Sequence, residues 1–97
     1  MRYTLEWDPI KAMENVKKHR ISFDRAAEII LDPLAVSIPE EEHSEDEERW
    51  VSIGKDRRGS VLVLIHTFLE VSTEECRIRL ISARKANKRE TKLYEET

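Results

Sequence analysis

Four cationic side chains fall in the stretch Arg77-Ile78-Arg79-Leu80-Ile81-Ser82-Ala83-Arg84-Lys85, and their spacing is the clearest chemical signal in the chain. Arg77 and Arg79 alternate with Ile78 and Leu80, so on a strand they share the face turned away from the core. Arg84 and Lys85 come at what reads as a strand-to-helix junction, where a rigid sheet edge positions side chains well. A guanidinium is a planar fork matched to phosphate oxygens. Residues 77–97 carry seven basic and three acidic side chains, whereas residues 40–48 carry seven acidic side chains and no basic one. Two readings follow. Either the basic quarter meets an anion such as an RNA backbone, or Arg79 and Arg84 pair with the acidic stretch and hold it down. Three histidines, His19, His43 and His66, are the groups that titrate near neutral pH.

Composition narrows the field. The chain has 97 residues, a net charge of −3 and 39% apolar residues, which suits one domain over residues 1–97 with a modest core. An acidic mean argues against a general nucleic-acid binder, and no helix-turn-helix pattern is visible. The single Cys76 allows neither an internal disulfide nor a CxxC metal pair. No apolar run approaches membrane-span length, and Met1 to Thr4 does not open a signal peptide, so a cytoplasmic protein without membrane contact is expected.

The elements that must carry these residues follow from period and punctuation. Met1 to Trp7 alternates, with Tyr3, Leu5 and Trp7 on the buried side. Asp8-Pro9 caps a helix running to about Lys18, with Ile10, Met13 and Val16 or Lys17 as its inner face. Ser22 caps a second helix over Phe23 to Leu31, stopped by Asp32-Pro33. Leu34 to Ile38 is a short strand, 39–48 a loop, Trp50 to Gly54 a strand and Lys55 to Gly59 a turn. Val61 to Leu69 is a central strand, Val71 to Glu75 a polar turn, and Arg77 to Ile81 the last strand of an antiparallel meander. Residues 85–96 form a mostly exposed helix with Ala86, Leu93 and Tyr94 as its contact stripe. The order β-α-α-β-β-β-β-α is that of an α+β protein with helices on one face of a small antiparallel sheet.

Within this frame lie Glu6-Trp7-Asp8, then Lys11, Asn15, Lys18-His19, Ile21-Ser22-Phe23, Asp32-Pro33, His43, Glu48-Arg49 and Gly54. Arg77 to Ala86, Arg89-Glu90 and Tyr94-Glu95 complete the set. In this combination and order the chain resembles the BrnT family from Trp7 to Tyr94. The resemblance implies a RelE-like fold and a ribonuclease toxin of a type II toxin–antitoxin system that cleaves RNA without metal or other cofactor and blocks translation. It also implies a cognate antitoxin with a ribbon-helix-helix domain. The two would form a dimer of heterodimers that represses its own operon, so that operator DNA is met only through the antitoxin. Two departures stand out. Arg20 occupies a position where the pattern has Gly, so a left-handed helix end must tolerate a side chain. The turn 70–76 is also longer than expected.

Metal-free cleavage of RNA needs a base for the 2′-hydroxyl, cations for the charge building on phosphorus, and help for the leaving 5′-oxygen. Arg79 and Arg84 are the expected phosphate ligands, with Lys85 beside them. His19 is a candidate base or simply a cap on its helix end. His43 sits among acids that favour its charged form and suits an acid better than a base. His66, in an apolar strand, reads as a satisfied core residue. Trp7, Lys18, Arg77, Arg89 and Tyr94 are the expected RNA contacts, with Trp7 alternatively core and Tyr94 alternatively a helix anchor. The rival reading is a non-catalytic module that uses its basic C-terminal helix to bind an acidic protein.

Overall fold

The computed structural model describes residues 1–40 and 48–96. Strand β1 (Arg2–Glu6) leads into α1 (Pro9–His19), α2 (Phe23–Ala27) and a 3-10 turn over Glu28–Leu31. Strands β2 (Val36–Glu40), β3 (Arg49–Lys55), β4 (Val61–Thr67), β5 (Leu69–Glu70) and β6 (Glu75–Lys85) follow, and α3 (Lys88–Glu95) closes the chain. The α+β class is therefore as read from the sequence, and the order differs by the short strand β5, where the expected central strand over Val61 to Leu69 breaks at Phe68.

The sheet runs β1-β6-β4-β3-β2, with β5 pairing β6 beyond the end of β4. Strands β2, β3, β4 and β6 form the expected antiparallel meander. Strand β1 joins it parallel to β6, Glu6 opposite Arg79. The two helices carry the chain from β1 at one edge of the sheet to β2 at the other, and the meander then returns β6 to lie beside β1. The longer turn at 70–76 becomes the β5–β6 hairpin, closed by the Val71 and Ser72 amides on the Glu75 carbonyl.

The principal core lies between one sheet face and α1, α2 and the 3-10 turn. Ile21, Phe23, Ala26 and Ile29 pack there on Leu62, Leu64, Ile78, Leu80 and Ala83. Gly54 permits the closest approach, since a Cβ there would meet the Ile29 Cβ at 3.0 Å and the Ala35 Cβ at 3.2 Å. A smaller apolar cluster of Ile53, Val63 and Tyr94 lies on the other face, under α3.

Three local expectations are corrected. In α1, Ile10 and Met13 are 67% and 65% exposed and Val16 is also exposed, while the buried residue is Asn15. The apolar side chains of this helix do not select its inner face, because a polar side chain holds it. The Asn15 amide donates to the carbonyls of Ile21 (2.9 Å) and Ala83 (2.8 Å) and accepts from the Ala83 amide (3.1 Å). Second, Leu31 is 73% exposed, because the helix after Phe23 tightens into the 3-10 turn at Glu28. Third, the last strand does not stop at Ile81 but continues to Lys85.

That longer strand is broken by a bulge. Ile65 pairs with Ser82 but His66 pairs with Leu80, so Ile81 is an extra residue. One extra residue reverses the alternation. Ala83 thereby returns to the helix-covered core, and Arg84 lands on the opposite face beside its register partner Val63.

Replacing Asn15 by Ala leaves the Ala83 amide and two carbonyls buried without their partner, a penalty of about 1–3 kcal/mol for each unsatisfied group. Urea denaturation of Asn15→Ala should show a loss of at least about 3 kcal/mol, and a loss below ~1 kcal/mol would mean that this link is dispensable. Arg20 does sit in the left-handed region, at φ 62°. Arg20→Gly should therefore gain up to about 1 kcal/mol, read as an upward shift of the denaturation midpoint.

Candidate functional site

The two sheet faces have divided labour, and register shows how. Because Ile78 and Leu80 are buried among the helices, Arg77 and Arg79 project from the open face, as the alternation predicted. Reading across strands at the level of Arg79, the partners on that face are Glu6 on β1, Thr67 on β4, Arg49 on β3 and Glu40 on β2. The Arg79 amide donates to the Thr67 hydroxyl at 3.2 Å, which ties the middle of the row together. A polar row thus crosses five strands, with a glutamate at each edge, an arginine inside each of them and Thr67 at the centre. Around it opens a cleft of about 390 Å³, lined by Glu6, Glu48, Thr67, Phe68, Leu69, Arg77 and Arg79.

The floor of this cleft is fixed from beneath. His66 is buried on the helix side, its Nδ1 donating to the Thr67 carbonyl at 2.8 Å. With that tautomer Nε2 accepts from the Ser52 hydroxyl (2.7 Å), which accepts in turn from Ser37 (2.7 Å). Burial pushes the His66 pKa below the usual histidine range, against the upward pull of the Thr67 carbonyl. His66 is thus a satisfied, neutral core histidine, as read from its apolar setting. Phe68, 40% exposed, marks the break between β4 and β5 and forms the cleft's wall.

The residues singled out from the sequence divide between this cleft and other places. Arg77 and Arg79 are brought together in it. Arg84 lies on the same face but further along β6, by about 16 Å at strand rise, and its fork is engaged. Its two nitrogens donate to the two Glu90 oxygens, both at 2.7 Å. That bidentate bond and the glutamate charge raise the Arg84 pKa despite partial burial, and they hold the Glu90 carboxyl down. Glu90 also closes the capping box of α3 with Asn87. Arg84, one of the expected phosphate ligands, thus clasps α3 to the sheet through Glu90.

Lys85 is exposed at the end of β6, and Arg89 is exposed on α3. His19 and Lys18 occupy the last turn of α1, which packs on the face opposite the cleft. Trp7 is half-buried against Phe23, ring centroids 5.9 Å apart in an edge-on arrangement, and so belongs to the core. Tyr94 is only 6% exposed, and its hydroxyl donates to Asp32 Oδ2 at 2.6 Å, a bond that anchors α3. His43 lies outside the described residues. Glu6, Arg49, Thr67 and Phe68 were missed by site reasoning. The alternation in β1 does set Glu6 opposite Tyr3 and Leu5, but only the β1–β6 register places it beside Arg79.

A small α+β protein whose open-face cleft sets the forks of Arg77 and Arg79 beside Glu6 and Glu48 can hold an anionic group on the arginines with carboxylates at hand. Among comparisons with known proteins, the family model of the ribonuclease toxin BrnT of type II toxin–antitoxin systems matches residues 7–90. The chain belongs to that family, which implies an antitoxin as its partner. The crystal structure of the Brucella abortus ribonuclease toxin BrnT superposes with a TM-score of 0.63 at 22% identity, over 91% of this chain and 100% of that one, and shows the same fold. No curated protein sequence matches. Among the described residues no helix is long and apolar enough to cross a membrane.

The anchor of α3 titrates at both ends of the pH scale. The bond to Asp32, with burial, pushes the Tyr94 pKa from 10.0 to about 12. Burial works to raise Asp32, but bonds from the Lys55 amide, Tyr94 and the Leu34 amide outweigh it and leave its pKa below the usual carboxylate value. A raised Tyr94 contributes stability that is whole below pH 10.0 and disappears as pH climbs through about 12. A lowered Asp32 contributes stability that is whole above its unfolded pKa of 3.8 and disappears as pH falls through its lower folded value. Ultraviolet titration should assign the late phenolate to Tyr94 by its disappearance in Tyr94→Phe. That variant should also lose the alkaline destabilisation between pH 10.0 and about 12. An early phenolate at Tyr94 would mean that the hydroxyl is open to solvent.

Proposed function

We propose that this chain is an endoribonuclease that cleaves RNA in its open-face cleft without a metal ion, acting in the cytoplasm to stop translation. The observation that carries the reading is the pair Arg77 and Arg79, which line the cleft with Thr67 and are set on inner strands of the sheet. Guanidinium groups carried on strands are positioned to meet the charge that develops on phosphorus, where electrostatic stabilisation is largest. The 2′-hydroxyl attacks the adjacent phosphorus, the bond to the 5′-oxygen breaks, and the products are a 2′,3′-cyclic phosphate and a 5′-hydroxyl. Phe68 offers a ring face on which a neighbouring base stacks.

The antitoxin in this reading carries a ribbon-helix-helix domain and covers the same face, reaching from the cleft to the exposed basic side chains of α3 at its other end. Its two-fold domain would pair two heterodimers. With a net charge of −3, the toxin reaches operator DNA only through that partner, and the complex represses its own operon.

Induced alone in bacteria, the protein should arrest growth, and purified protein should cleave RNA in excess chelator with cyclic phosphate ends. Arg79→Ala should lower the single-turnover rate at saturating RNA by about a hundredfold with little loss of affinity. Arg77→Ala should weaken binding in a manner that fades as salt rises. Arg84→Ala should loosen α3, seen as a lower melting temperature, and keep most of the rate at saturation. Growth arrest without RNA cleavage would favour a non-catalytic module, and a rate loss confined to Arg84→Ala would move the site to the α3 end of β6.

A further inference from the structure

We infer that Glu6 is the general base of this cleft, a role that rests on the functional reading above. Cleavage begins with removal of the 2′-hydroxyl proton, and imidazole is the usual acceptor. The histidines within the described residues do not serve. His66 is buried on the helix side with both ring nitrogens engaged, and His19 ends α1 on that same side. Among the described residues two carboxylates line the cleft, Glu6 and Glu48. Glu6 closes β1, is exposed, and stands in register with Arg79 on a hydrogen-bonded strand pair. Glu48 precedes β3 and lies outside any strand. Catalytic geometry is held more tightly on a strand than beside one, so the choice falls on Glu6. The pairing also suits the chemistry, since Glu6 and Arg79, in register on adjacent strands, can engage a 2′-hydroxyl and the phosphate next to it together.

In the step itself the Glu6 carboxylate takes the 2′-hydroxyl proton as the 2′-oxygen bonds to phosphorus. The phosphorus bond to the 5′-oxygen breaks with its electron pair leaving on that oxygen, which takes a proton from water. Glu6 then returns its proton to solvent.

The test compares wild type, Glu6→Gln, Glu6→Asp and Glu48→Gln as full chains, with folding checked by circular dichroism. The substrate is a short RNA, and its 2′-deoxy analogue at the cleaved nucleotide is the binding probe. Glu6→Gln should bind the analogue at least as tightly as wild type, because a negative charge facing phosphate is gone. Its single-turnover rate should fall about a hundredfold or more. In wild type the rate should drop as acid protonates the base, and that acid limb should vanish in Glu6→Gln and persist in the slower Glu6→Asp. Wild-type cleavage with an unchanged Glu6→Gln profile overturns the assignment alone, as does an acid limb that vanishes only in Glu48→Gln. A folded wild type that cleaves no RNA overturns the functional reading and the assignment with it.

Discussion

Everything at the working face depends on how β6 is held along its length, and one side chain holds its second half. Over Glu75 to Arg79 the strand has β1 on one edge. Beyond that β1 has ended and the chain has turned into α1, so the Ala83 amide and carbonyl face no further strand on that side. Asn15 supplies the missing partner by accepting from one and donating to the other, as an adjacent strand would. Its second donor bond, to Ile21, fixes the link between α1 and α2 to the same point. Buried backbone groups without partners are costly. A short amide with both a donor and an acceptor meets this need where no apolar residue does.

With β6 secured, the bulge at Ile81 can divide its open face into two zones. Before it, Arg77 and Arg79 face the cleft. After it, Arg84 faces α3 and is bound by Glu90. Had the alternation continued unbroken from Ile78 and Leu80, Arg84 would have pointed into the core among Leu62, Leu64 and Phe23, where an unpaired guanidinium is not tolerated. At the far end Tyr94, bonded to Asp32, and the Arg84–Glu90 pair seat a helix too short to be stable alone. That helix covers Ile53 and Val63, so apolar sheet is closed off while the charged row near β1 stays open. The polar end is shaped from below as well, because His66 holds the Thr67 carbonyl through the sheet.

The same features decide how much of the site was visible in advance. Arg77 and Arg79 were legible because two consecutive alternations with Ile78 and Leu80 specify one face whatever the strand's neighbours. Arg84 was not, because an extra residue in a strand leaves no mark in hydrophobic period when the residue is an isoleucine. Tyr94 was open between anchor and ligand, and only the distant Asp32 decides it. Asn15 was overlooked as a buried residue because polarity at a helical position ordinarily signals solvent. Ile10 and Met13 misled for the converse reason, being apolar yet exposed.

The linear order of residues by itself determined the element types and their order apart from β5, the caps at Asp8 and Ser22, the strained end at Arg20, and the family to which the chain belongs. These rest on local period, on backbone preferences of single residues and on motifs read in order. The tertiary structure alone decided which residues became neighbours in the cleft. Glu6 and Arg79 are far apart in the chain and meet because β1 pairs parallel with β6. Arg49 and Thr67 complete the row through antiparallel register. Strand register is settled by the sum of packing on both faces and by hydrogen bonding at every rung, a property of the whole sheet that no short stretch of sequence carries.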